Sequence, residues 1–220
     1  MVADLELMDL LEDSGLDEDE KRAFIRHVEE EQSAFVPALN TIYLATLSVN
    51  HAAEEAAHYV KQRASRAAEP GEPRDRFYFV ALNEALAFFG SKVINPKRKA
   101  EHQGRLRRAV ARARKQKAWN VEDRAARFAL EHLTWERSGG RGSALEHAAD
   151  LADPAVFSAA AHLLGYILGD RMYYALTDGV ISKRRIRELF LARHDEPGEA
   201  LDTYLELSAA LRSVKIPRRI

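Results

Sequence analysis

Apolar residues recur at three- and four-residue intervals along most of the chain, and no stretch keeps a sustained two-residue alternation. That period predicts amphipathic helices rather than strands. The breaks between them are legible. A short helix stops near Gly15, and Leu16, Asp17 and Glu20 make a staple and capping-box-like start for a second that reaches about Gln32. A long helix is predicted from Ser33 to Ala68, with Pro37 near its start. The Glu69-Pro70-Gly71-Glu72-Pro73 turn leads into a helix that Asn95-Pro96 ends. A basic helix follows over residues 97–118, and Asn120 caps another to Arg137. Ser143 and Glu146 cap a short one, Asp153-Pro154 opens a long apolar one to Thr177, Ser182 caps one through Arg193, and a last runs from Glu199 to about Val214.

The predicted fold is therefore all-α: a single irregular bundle of about nine or ten helices. Residues 1–32 form an acidic helical segment that docks loosely, and residues 33–220 form the helical domain. Two stretches, Phe35–Val60 and Phe77–Phe89, are apolar nearly all round, which predicts that other helices surround them. The short turn between them predicts a buried central antiparallel hairpin. In such a hairpin, residues equally far from Gly71 lie side by side, which brings His58 and Glu84 together.

Those two residues introduce the first candidate chemistry. His51, Glu55 and His58 share one helical face, and Glu84 sits among Phe77, Val80, Ala81 and Phe88. A buried carboxylate must find a donor, a cation or a metal, or else take up a proton. Glu55-Ala56-Ala57-His58 has the Glu-x-x-His spacing of helical carboxylate metal sites, where imidazole and carboxylate suit non-haem iron, manganese or zinc. The expectation of a metal site is thus His51, Glu55, His58 and Glu84. Its competitor is a structural network in which His58 satisfies Glu84. A complete di-metal site needs a second such motif, and no other histidine follows an acid at that spacing.

On the long C-terminal apolar helix, Ala161, Gly165 and Gly169 give a small-residue face for close helix approach. His162, Tyr166, Asp170 and Tyr173 run down an adjacent face and are candidates to line a pocket, or to tie helices together by hydrogen bonds. No serine, threonine or lysine stands in a nucleophile motif. Gly139-Gly140-Arg141-Gly142 lacks the Lys-Ser/Thr ending of a phosphate loop.

Composition narrows the classes further. The absence of cysteine excludes disulfides, thiolate catalysis and Cys-ligated metals. The acidic start is unlike a secretory signal, and the longest uncharged run, Gln32–Ala53, holds too many polar groups for a bilayer span. A cytoplasmic protein without a transmembrane segment is expected. The formal net charge of −1 hides two blocks of opposite sign: residues 1–33 carry −9 and residues 97–117 carry +9. Arg105, Arg108, Arg112 and Lys115 form a stripe that could track the phosphates of a nucleic acid, although no aromatic residue interleaves it. The reading that follows is a binding or regulatory protein without covalent catalysis, working with a protein partner or by self-association. A metal-binding bundle and a non-specific nucleic-acid binder are the alternatives.

Overall fold

The computed structural model describes residues 34–36, 41–44, 48–65, 70–98, 104, 108, 120–137 and 153–216. Its body is helical. Six helices are described: α1 (Val49–Ser65), α2 (Pro73–Ile94), α3 (Val121–Arg137), α4 (Pro154–Thr177), α5 (Lys183–Leu191) and α6 (Glu199–Ala210). The nine or ten expected from sequence are not what the described residues contain. The helices predicted over residues 1–32 and at Ser143 lie outside them, as does most of the one predicted over 97–118, of which Gly104 and Arg108 are helical.

The helix predicted to start at Ser33 is corrected. The chain runs extended at β1 (Ala34–Val36) and β2 (Thr41–Tyr43), which pair antiparallel with Phe35 opposite Ile42. β-branched and aromatic side chains favour a pleated backbone, and proline at 37 pushes Val36 into the extended region. Among the described residues of this stretch, helix begins at Val49.

Local chemistry explains the other boundaries. α2 has proline at its first position and ends before the Asn95-Pro96 pair. Asp153 caps α4 by accepting the Ala155 N–H at 3.0 Å. At the end of α4, Gly179 takes the left-handed conformation while Val180 N–H donates to Ala175 O at 2.7 Å, closing the helix as glycine C-caps do. Ser182 Oγ accepts the Arg185 N–H and starts α5.

The expected central hairpin does not organise the fold. The most extensive packing is α2 on α4, followed by α1 on α2 and α3 on α4. Glycine makes the central crossing close: a Cβ at Gly165 would stand 2.5 Å from Glu84 Cβ and 2.6 Å from Ala81 O. α1 buries Ala53, Glu54, Ala57, Lys61 and Ser65, a narrow and largely polar stripe, and leaves Val49 and Val60 exposed. Its apolar face is too small to be the centre of a core. Around the α2–α4 pair the rings interlock, with Phe77 edge-on to Phe128 at 5.5 Å and to Phe157 at 5.2 Å. Among the described residues, only α2 is long and apolar enough to cross a membrane, and most of it is buried inside the fold.

Candidate functional site

Glu84 sits on α2 where α1 and α4 flank it, and two imidazoles reach the same carboxylate oxygen. His58 Nε2 from α1 lies 3.6 Å from Glu84 Oε1, and His162 Nε2 from α4 lies 3.3 Å from it. The Glu84 side chain is 12% exposed, whereas that of His162 is 41% exposed. Helical periodicity accounts for the placement of Glu84: Ala81, Ala85 and Phe88 put this face of α2 in the core, and the absent Cβ at Gly165 makes room for the Glu84 stem.

The other nitrogen of His162 settles its tautomer. Nδ1 lies 2.8 Å from the Ser158 carbonyl oxygen, a group that only accepts, so Nδ1 carries a proton and donates it. Nε2 then has a lone pair facing a carboxylate unless it too is protonated. This contact is attractive only with a cation in it.

A second charged pair borders the junction. Arg98 NH2 stands 2.7 Å from Glu54 Oε1, and both side chains are nearly buried. Burial raises the Glu54 pKa and the Glu84 charge adds to this, while Arg98 and His58 pull it back down. Arg98 is held in turn by the Phe88 ring, 4.3 Å from its guanidinium carbon, and by Ser91 Oγ.

The sequence-predicted set is therefore only partly brought together. His58 and Glu84 meet, His51 is exposed and Glu55 is half-buried. No group of three or more His, Asp or Glu side chains among the described residues is arranged to hold a metal ion. The imidazoles that share Glu84 Oε1 do not, as placed, close with it on one common point. His162, expected on a separate pocket face, joins the junction. Tyr166 lies against Phe88 at 4.9 Å, Asp170 forms a buried ion pair with Lys92, and the Tyr173 ring lies 5.4 Å from the Lys92 ammonium. These side chains are distributed among several partners. Of the basic stripe only Arg108 is described, and it is exposed; Arg105, Arg112 and Lys115 lie outside the described residues.

Two polar features escaped the sequence reading. One is the buried series Tyr78–His132–Glu136–Ser208. The Tyr78 hydroxyl is 2.9 Å from His132 Nε2, His132 Nδ1 is 2.9 Å from Glu136 Oε1, and Ser208 Oγ donates to Glu136 Oε2 at 2.6 Å. The i, i+4 spacing of His132 and Glu136 beside Phe128 and Leu133 was the available signal. The other is Lys61, buried on α1, whose ammonium donates to the carbonyls of Leu189 and Ala192 at the end of α5. Burial pulls its pKa down to about 8. Comparison of the chain with family models, curated proteins and solved structures finds no match.

Proposed function

We propose that this chain is a cytoplasmic binding or regulatory protein without covalent catalysis, and that the His58–Glu84–His162 junction is its proton-responsive element. One observation carries the reading: the Nδ1 proton of His162 is committed to Ser158, so its Nε2 holds Glu84 only when a second proton is present. Histidine is the side chain that changes charge near physiological pH. Protonation tightens α4, and through His58 also α1, onto α2; deprotonation leaves lone pairs facing a carboxylate. The charged groups around Glu84 are His58 and Glu54 from α1 and His162 from α4, with Arg98 beyond α2 paired to Glu54. A partner that meets α1, whether another protein or a second copy, would feel that change.

Hydrogen exchange across the histidine pH range tests this reading. Amides of α1 and the first turns of α4 should gain protection as the pH falls, and the His58→Gln/His162→Gln double variant should lose that response. An unchanged profile in the double variant would end the proposal.

A second reading keeps the site and replaces the proton with zinc, manganese or iron. It is favoured by the same Nδ1–H bond to a backbone carbonyl, the arrangement that orients a metal-ligating imidazole. Ligation requires the partly exposed His162 to swing until both imidazoles and Glu84 share one ion. Elemental analysis of protein purified without chelator separates the two: stoichiometric metal, lost in Glu84→Gln, favours this second reading over the proton.

A further inference from the structure

The start of α1 and the end of α2 meet at one end of the molecule. The two helices cross closely at Gly90, where a Cβ would stand 3.0 Å from Ala57 Cβ, and further along Asn95 Nδ2 donates to Asn50 Oδ1 at 2.9 Å. Next to those two asparagines in the chain stand Val49, Val93 and Ile94, of which Val49 is 63% exposed, Ile94 61% and Val93 49%. Single exposed apolar residues need no explanation, but three β-branched side chains sharing one end of a helix pair make a patch. Lys97 borders it, with its backbone N–H donating to Asn95 Oδ1 at 3.2 Å. This lysine is exposed, and it opens the +9 block of residues 97–117.

The chain itself supplies an occupant of matching chemistry. Residues 1–33 carry −9, and Leu5, Met8 and Leu11 recur at three-residue intervals among Asp4, Glu6, Asp9, Glu12 and Asp13. The apolar side chains suit the patch, and the carboxylates suit the positive charge beside it. The segment is also delivered to the right place. It joins the described fold at Ala34, the first residue of β1, and both strands of that hairpin pack against α1. Fully extended, a chain of that length reaches up to about 110 Å. The 17 residues of α1 span only about 25 Å.

The size of the patch selects a tethered occupant over a free one. Stable association of separate proteins buries about 1,200–2,000 Å² in all, far more than three side chains offer. A linked segment needs less, because its effective concentration lies in about the millimolar range. We propose that residues 1–33 of this chain dock back onto the Val49–Val93–Ile94 patch, with leucine and methionine side chains against it and carboxylates toward Lys97. The patch shares no residue with the His58–Glu84–His162 junction, so either assignment can fail alone.

Paramagnetic NMR of the full chain tests the docking, because Ser14→Cys gives a nitroxide a single attachment point in a chain with no other thiol. The nitroxide should broaden the amide signals of Val49, Val93 and Ile94, and its chemical reduction should restore them. Val93→Ser/Ile94→Ser, at two exposed positions, should largely abolish that loss of intensity. Attraction between the charge blocks alone would leave it in place, so broadening that survives in the double serine variant overturns the proposal. Unbroadened patch amides overturn it too, as does broadening confined to another surface, such as the exposed basic face of α5 around Arg184 and Arg187. A last control mixes isotopically enriched chain lacking the nitroxide with unenriched chain carrying it. Equal broadening in that mixture would mean that the segment docks on a second copy, against the proposal.

Discussion

His162 Nε2 stands 3.3 Å from Glu84 Oε1 while Ser158 O holds the opposite ring nitrogen at 2.8 Å. The carboxylate is thus the common partner of imidazoles from α1 and α4. Glu84→Ala removes that partner and the stem that packs on Gly165, at an expected cost of about 1–3 kcal/mol. At about 2–4 °C per kcal/mol for a chain of this size, the melting temperature should drop visibly. Glu84→Gln keeps the shape and removes the charge, so it should retain more stability and lose the pH response. A wild-type melting temperature in Glu84→Ala would show that the junction holds nothing.

How much of this was legible in the sequence depended on whether the signal was local. The all-helical body, the caps at Asp153 and Ser182 and the end at Asn95-Pro96 rest on contacts within a few residues, and the sequence displays them. The meeting of His58 and Glu84 followed from a short turn and equal distances from Gly71. What the sequence hid was which apolar helix would be central. Phe35–Val60 looked buried by composition, but its first part is a hairpin of strands, and the helix that remains buries two charged groups, Glu54 and Lys61. The approach of His162 depended on a crossing between α2 and α4 whose register no local pattern encodes. The partnership of Lys61 with carbonyls near residue 190 was invisible for the same reason.

That crossing makes Gly165 intolerant of any side chain. An added Cβ meets Glu84 Cβ and the Ala81 carbonyl oxygen, and the backbone oxygen cannot rotate away. Gly165→Ala should destabilise despite alanine's better helix propensity, and Gly165→Leu by more, with overpacking typically costing about 1–3 kcal/mol. Thermal unfolding decides it, since a gain in stability for Gly165→Ala would mean that the helices are further apart than this packing requires.

Lys61 predicts a rise in stability on the alkaline side. An unfolded lysine titrates near 10.5, while Lys61 does so at about 8, so between these values the unfolded chain holds more protons. Stability therefore increases with pH across that window. Lys61→Met should flatten the rise while lowering stability at neutral pH, because the Leu189 and Ala192 carbonyls lose their donor. Urea midpoints measured from neutral to alkaline pH check both. A wild-type curve that is flat between about 8 and 10.5 would remove Lys61 as the cause.

The two charge blocks predict an effect on polyanion binding. Residues 1–33 carry −9 against +9 in residues 97–117, so the acidic block should screen the basic one. Deleting residues 1–33 should raise affinity for heparin, most clearly at low salt, where the Debye length is about 30 Å at 0.01 M against about 10 Å at 0.1 M. Elution of the truncated and intact proteins at the same salt concentration would show that the blocks do not interact.

The last prediction concerns acid stability, and it singles out Glu136. Burial pushes its pKa up, yet bonds from His132, Ser208 and Tyr204 and the His132 charge outweigh that, so the folded value lies below the ordinary 4.5. A depressed carboxyl means that the unfolded chain binds the proton first as the pH falls. The contribution of Glu136 is fully present above about 4.5 and is lost as the pH drops through the lower folded value. Glu136→Gln removes the carboxylate charge to which Ser208 donates and beside which the fully buried His132 imidazole lies, and losing hydrogen bonds to a charged group typically costs about 1.5–3 kcal/mol. The variant should therefore have a lower urea midpoint at neutral pH and a shallower loss of stability toward acid. Replacing Tyr78 by Phe removes only the far end of the series, so its cost should stay near a single hydrogen bond, about 1 kcal/mol, with the acid slope retained. If Glu136→Gln instead keeps the wild-type acid slope, carboxylates elsewhere govern acid unfolding and the buried Tyr78–His132–Glu136–Ser208 series is not its trigger.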